Sequence, residues 1–262
     1  KYTVVTNGCD QAIFTNHDKS IDDKIKVVTH HWSDNMNKGY QTYYKLWEYT
    51  QTHDTNIEFV FIGKNVPEMF KAVPVHGPFV NDKLSDELNK QHIYITDSIY
   101  DSCPNHVLEA LSCGLPILYS NVEGGAKELC TMSEYKVGEM YNTFDELLEK
   151  IVMIKQNYDF YRENIKKTLH LYEINYSISK YYNVMLNIMY MFKLHTNVEL
   201  LYENNVISIT CDTTDDGKYV LLNDNLHIRL VKGENILAVN KNIYKNIKII
   251  GANYSIREFG KS

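Results

Sequence analysis

The sequence contains no C-x-x-C pair, no concentrated block of lysine and arginine, no apolar run of 18 residues and no secretory signal. Each absence removes a class of function. The five cysteines (Cys9, Cys103, Cys113, Cys130 and Cys211) are odd in number and widely spaced. That spacing disfavours a disulfide framework and a zinc site, and it points to reduced thiols in a cytosolic setting. With 27 Lys and Arg against 33 Asp and Glu, the net charge is -6, so no basic face is expected for a nucleic-acid backbone. A single nucleoside diphosphate demands far less: one or two cations and a few backbone N–H groups. Ten histidines are scattered, and His30-His31 is the one close pair. Adjacent strand residues face opposite ways, so a shared metal is not expected. No segment is expected to span a bilayer. The chain opens on Lys1 rather than Met, in a stretch that reads like the interior of a longer protein.

What is present is an alternation of strand and helix signals from about residue 25 to residue 155. The 262 residues, 44% hydrophobic, suffice for one full core and a smaller second unit. Ile25 to His31 is a β-branched run, after which a polar turn leads to Tyr40, Tyr43, Tyr44 and Trp47 at helical spacing. Ile57 to Gly63 is near-continuously apolar, as a buried parallel strand should be. Further strands are expected at Val73 to Val80, His92 to Thr96 and Pro116 to Ser120, with a helix from Asn81 to Lys90. The pattern predicts an α/β, doubly wound parallel sheet, whose ligands bind at the carboxyl ends of the strands. The turns at Trp32–Gly39, Gly63–Val66, Asp97–Asn105 and Asn121–Gly125 should therefore share one edge. From Phe144 to about Leu194 the pattern is helical. Asn183 to Leu194 is apolar enough to suggest peripheral contact with a membrane, but its few cations favour a packed helix. Beyond Asn197, Val206 to Ile209, Tyr219 to Leu222 and Ile228 to Val231 read as strands, with turn signals at Asp215-Asp216-Gly217 and Asn223-Asp224-Asn225.

The segment from Tyr100 to Pro116 carries the most chemistry. Asn105 reads as a helix N-cap, Val107, Leu108, Ala110 and Leu111 as an apolar face, and Gly114 as a left-handed C-cap before Pro116. Asp101 precedes this helix and Glu109 lies inside it. By pattern alone two readings stand. The acids serve the positive end of a helix dipole, or they accept hydrogen bonds from vicinal hydroxyls, Asp101 from a hexose and Glu109 from a ribose. The amides of Asn105, His106, Val107 and Leu108 would then cradle a diphosphate.

An acidic residue, seven residues, then Glu-Ala-Leu-x-Cys-Gly-Leu-Pro resembles the signature of retaining GT-B glycosyltransferases of the glycosyltransferase 4 (group 1) type. Asp101 stands where that family usually has Glu. Val4 to Asp10, followed by Phe14, resembles the Asn-Gly-Val-Asp-x-x-x-Phe opening of the family's C-terminal domain. His30-His31-Trp32-Ser33 with Asn37-Lys38-Gly39 resembles its Gly-Arg-Leu…Lys-Gly segment. Lys38 matches the diphosphate-contacting lysine, no arginine is present, and His31 reads as a substitute phosphate contact or as a strand-end residue. Gly124 and Gly125 resemble the Gly-Gly-x-x-Glu turn near the donor sugar, and Asn157 to Tyr161 the terminal helices. The matches span about residues 3 to 185.

The resemblance implies a Rossmann-like half of a GT-B fold at residues 1–195, and the strand and turn signals that follow make 196–262 a small β-rich extension. It implies transfer of a hexose from a nucleotide-diphosphate sugar with retention and without a bound metal. Asp101, Glu109 and Lys38 would do the chemistry. The acceptor, a glycan, lipid or protein, would be handled by an N-terminal domain that this chain lacks, so the chain alone should bind donor but transfer little. The expected place is cytoplasmic, either free or peripheral to a membrane. Two alternatives remain: a non-catalytic sugar-nucleotide-binding or protein-interaction module, and a sugar-nucleotide epimerase on a similar scaffold.

Overall fold

The computed structural model describes residues 4–191 apart from Asp22 and Glu123, and, by backbone alone, strands between residues 197 and 258. Packing divides the chain into Thr6–Ser177 and a second unit of Lys1–Val5 with Ile178–Ser262.

The first unit is built on six parallel strands: β1 (Ile25–His31), β2 (Ile57–Gly63), β3 (Val75–His76), β4 (Ile93–Thr96), β5 (Ile117–Ser120) and β6 (Gly138–Tyr141). Their order is β3-β2-β1-β4-β5-β6. The chain thus winds outward from β1 in one direction, then returns to place β4 on β1's other side. This is the Rossmann-type doubly wound order, with its switch point between β1 and β4. The strands read as apolar runs because both faces are covered. Val28, Ile62, Tyr94, Ile117 and Tyr119 pack under α2 (Asp82–Asn89), α3 (Asn105–Ser112) and α4 (Gly125–Cys130). Val27, Phe61, Ile93, Ile95 and Leu118 face the other way, against α1 (Tyr40–Thr52), α5 (Phe144–Gln156) and α6 (Tyr158–Thr168).

Several expectations are refined. The strand expected at Val73 to Val80 contracts to the two exposed residues Val75 and His76. The helical stretch after Phe144 is divided: α5 ends at Gln156, α6 begins at Tyr158, a 3-10 turn covers Leu169–Leu171, and α7 runs Ile174–Met191. The opening segment is tied to that helical end, since the Cys9 N–H donates to Tyr172 O and the Ile174 N–H to Cys9 O. Arg162, 6% exposed, donates to Asn16 Oδ1 and to the carbonyls of His17 and Lys19, pinning the loop before β1.

In the second unit β7 (Asn197–Glu203), β8 (Val206–Cys211), β11 (Gly233–Ala238) and β13 (Asn253–Glu258) form a sheet in the order β11-β8-β7-β13. β9 (Lys218–Leu222), β10 (Leu226–Leu230) and β12 (Lys248–Ile249) form another. The strands expected near 206, 219 and 228 fall within β8, β9 and β10. The turn signals at 215–217 and 223–225, and Val231, lie outside the described residues, as does the end of the apolar stretch at 192–194. Among the described residues no helix is long and apolar enough to cross a membrane, and Cys9, Cys103, Cys113 and Cys130 are free thiols.

Candidate functional site

β1 and β2 pair along seven positions, from Ile25 with Ile57 to His31 with Gly63. β1 and β4 pair at only two, Val27 with Ile93 and Val28 with Tyr94. Beyond that point the His30 N–H donates to the Tyr94 hydroxyl at 3.1 Å instead of a β4 carbonyl. The two strands therefore part at their carboxyl ends, which opens the crevice that a switch point provides.

The loops after β1, β4 and β5 are lashed together around this crevice. The Ile99 N–H donates to Asn37 O at 2.8 Å, and the Gly125 N–H to Asp101 O at 2.7 Å. Lys38 Nζ lies 2.7 Å from Asp101 Oδ2, with the side chains 28% and 22% exposed. The Asp97 carboxylate accepts from the Thr42 hydroxyl at the start of α1, and its N–H donates to the Tyr43 hydroxyl. Asp97 thus anchors α1 to the loop that carries Asp101.

Helix α3 begins one residue earlier than expected. Pro104, not Asn105, occupies the N-cap, without a side-chain cap. Proline already holds the extended backbone that a cap position needs, and Asn105 becomes the first helical residue, its side chain accepting from Asn7 Nδ2 at 3.0 Å. The N–H groups of Val107 and Leu108 turn back to Pro104 O at 3.0 and 3.4 Å. Among the described residues no acceptor meets the amides of Asn105 and His106, which leaves two open donors at the positive end of the helix. At its other end the helix closes as expected. Gly114 has φ 74°, its N–H returns to Leu111 O, and that of Leu115 to Ala110 O.

Glu109 Oε2 lies 2.8 Å from Nε2 of His30, which is 2% exposed, whereas Glu109 remains 24% exposed. His31 points to the other side of the sheet. Its ring stacks on Tyr43 at 5.5 Å, and Nε2 bonds with the hydroxyls of Tyr43 and Thr29. Its buried position makes it a strand-end residue of the core. His106 is also buried, with Nε2 on the Thr96 hydroxyl at 3.1 Å and its ring edge-on to both His30 and His31. Burial holds His31 well below the ordinary histidine range, assisted by His106, His30 and Lys38. Burial, then His30 and Lys38, do the same to His106. Both rings are neutral near pH 7.

The paired glycines sit against protein. A Cβ on Gly125 would lie 2.2 Å from Ser102 O, so Gly125 lets α4 press onto the Asp101 loop. Gly124, in extended backbone, lies over Ser98 and Asp101. Val107 and Leu108 are fully in the core. The structure therefore brings Lys38, Asp101, Glu109 and the first turn of α3 to one crevice, keeps His31 behind it, and adds His30. Its signal in the sequence was its place at the end of the strand nearest the switch point. Among the described residues no group of three or more His, Cys, Asp or Glu side chains is gathered to hold a metal ion.

A parallel sheet of this order, with a helix N-terminus at its switch point, defines a Rossmann-like domain of the GT-B kind. The family model "Glycosyl transferases group 1" matches residues 26–157, half of the chain, and the protein belongs to that family. Among solved structures the fold resembles a glycosyltransferase from Rickettsia africae ESF-5, at TM-score 0.56 and 14% identity over 71% of this chain. It resembles sucrose-phosphate synthase from Thermosynechococcus elongatus at 0.55 and 14% over 71%. A variant of S. aureus TarM solved with UDP gives 0.52 and 13% over 70%. The chain spans 57%, 52% and 39% of those proteins' lengths. None of the curated proteins compared with the sequence matches it.

Proposed function

We propose that the crevice between β1 and β4 binds a nucleotide-diphosphate sugar, the donor of a hexosyl transfer that retains anomeric configuration. The uncapped first turn of α3, placed at the switch point, carries this reading. Its two open amides, from Asn105 and His106, suit the diphosphate, whose charge grows as the sugar leaves. Lys38 is already paired with Asp101, yet an ammonium has three protons and can hold the carboxylate while donating to phosphate. Asp101 keeps one oxygen for a sugar hydroxyl, and Glu109 is set for the ribose. Amides and lysine supply charge stabilisation without calling on a metal. The acceptor, whether glycan, lipid or protein, would be held by a further domain, and transfer would require it. A cytoplasmic place suits a sugar-nucleotide donor.

Calorimetric titration of UDP, GDP and ADP in metal-free buffer tests this. One of them should bind saturably and weaken in Glu109→Ala and Lys38→Ala. Absence of saturable binding by all three at millimolar concentration would sink the donor reading.

A further inference from the structure

Glu109 carries the only carboxylate on α3, and among the described residues His30 is that carboxylate's only hydrogen-bond partner. The contact joins the end of β1 to the second turn of α3 across 79 residues of sequence. The imidazole is held firmly. Its ring is edge-on to Tyr94 at 5.5 Å and to His106 at 6.0 Å, and tilted to Trp32 at 5.8 Å. The amide of the same residue is fixed on the Tyr94 hydroxyl. Glu109, in contrast, has three rotatable bonds and one face open to the crevice. A free glutamate must lose that freedom when it grips a ligand, and a partner that orders it beforehand removes the loss from the binding step.

We propose that His30 is a positioning residue that aims Glu109 at the vicinal hydroxyls of the donor's ribose, an inference that rests on the donor-binding reading above. His30 occupies Oε2 through its Nε2, which faces the carboxylate and so carries the proton. Oε1 is left to accept from the diol, and a carboxylate has lone pairs enough for both. His30 has no contact with the donor itself. Its effect is confined to the part of the affinity that the diol supplies.

That confinement gives the test. UDP, GDP and ADP, each with its 2′,3′-dideoxy counterpart, are titrated into the unmodified chain, Glu109→Ala, His30→Phe and His30→Gln. Phe keeps the ring volume among Trp32, Tyr94 and His106, and circular dichroism confirms the fold. In the unmodified chain the ribose form of the preferred nucleotide should bind about tenfold tighter than the dideoxy form, the worth of a hydrogen bond to a charged group. The ratio should approach one in Glu109→Ala and fall by at least about threefold in His30→Phe. It should recover in His30→Gln, whose amide places a donor near the lost Nε2–H. Affinity for the dideoxy form should be the same in all four proteins. An unchanged ratio in His30→Phe, or a loss shared equally by both forms, would overturn the positioning role while leaving donor binding intact. Failure of every nucleotide to bind the unmodified chain would remove the donor reading and this inference together.

Discussion

Acidification from pH 7.5 to 5.5 should destabilise the Thr6–Ser177 unit, and the amount follows from two rings. His31 and His106 are kept neutral in the folded chain, chiefly by burial. In the unfolded chain each is free to take a proton near the ordinary value of 6.5. A folded-state value below the unfolded one means that the unfolded state binds more protons as pH falls, so stability is lost on the acid side of 6.5. Each ring contributes about 1.4 kcal/mol between pH 7.5 and 5.5, about 2.7 kcal/mol for the pair. Lys19 acts higher up. Burial pulls its ammonium down to about 7, so most of its share changes between there and 10.5, but about 0.8 kcal/mol more is lost as the pH falls from 7.5 through 7, in the same direction as the rings. Glu139 enters only below 4.5. Burial raises its carboxyl, but bonds from Lys136 and Tyr161 bring the net value down. The assay is urea unfolding at half-unit pH steps, followed by tryptophan fluorescence. Both tryptophans, Trp32 and Trp47, lie in this unit. The midpoint should fall by roughly 1 M across the range. In the double variant His31→Gln, His106→Gln the slope should fall to about a quarter, the remainder being that of Lys19. A midpoint constant within about 0.3 M, or a double variant that keeps the full slope, refutes the assignment of neutral buried rings.

Gly125→Ala should cost about 2 kcal/mol, measured by thermal unfolding, because the new methyl meets Ser102 O and cannot be absorbed by a flexible side chain. Arg162→Met should lower stability by about 2 kcal/mol, read from urea curves, since three acceptors in the partly buried loop before β1 lose at once the donor that the buried guanidinium supplies. Lys38→Met should change stability by less than about 1 kcal/mol, the pair with Asp101 being partly exposed, yet weaken nucleoside diphosphate binding at least about tenfold by calorimetry.

The alternation of strands and helices was readable because β1, β2, β4 and β5 are apolar on both faces, and Gly114 and Pro116 punctuate the chain between β4 and β5. β6 escaped because Gly138-Glu139-Met140-Tyr141 has no strand pattern. Its glutamate is buried by pairing with Lys136 and Lys150 from flanking segments and with the Tyr161 hydroxyl. The boundary between α5 and α6 escaped because apolar residues keep helical spacing across Asn157. Within the crevice, the positions of Lys38, Asp101 and Glu109 follow from local motifs. Their pairings do not, since Lys38 with Asp101 and His30 with Glu109 are joined only by the return of the chain to β4. Asn105 lost the cap to Pro104 through backbone geometry that a preference for side-chain caps overlooks.

The sparse pairing of β1 with β4 has a consequence for how the domain folds and breathes. Each half of the sheet, Ile25 to His76 and Ile93 to Tyr141, is assembled by crossovers between sequence neighbours. The two are joined along a short seam of two register positions, supported at its amino end by the His92 N–H on Lys26 O. Such halves behave as separate cooperative units whose junction forms late and opens first. Amide hydrogen exchange would then be faster around the seam's carboxyl end than in β2 or β5. Anything lodged in the crevice spans both units and acts as a mortise pin, adding about 2.7 kcal/mol to cohesion at a hundredfold excess over its dissociation constant.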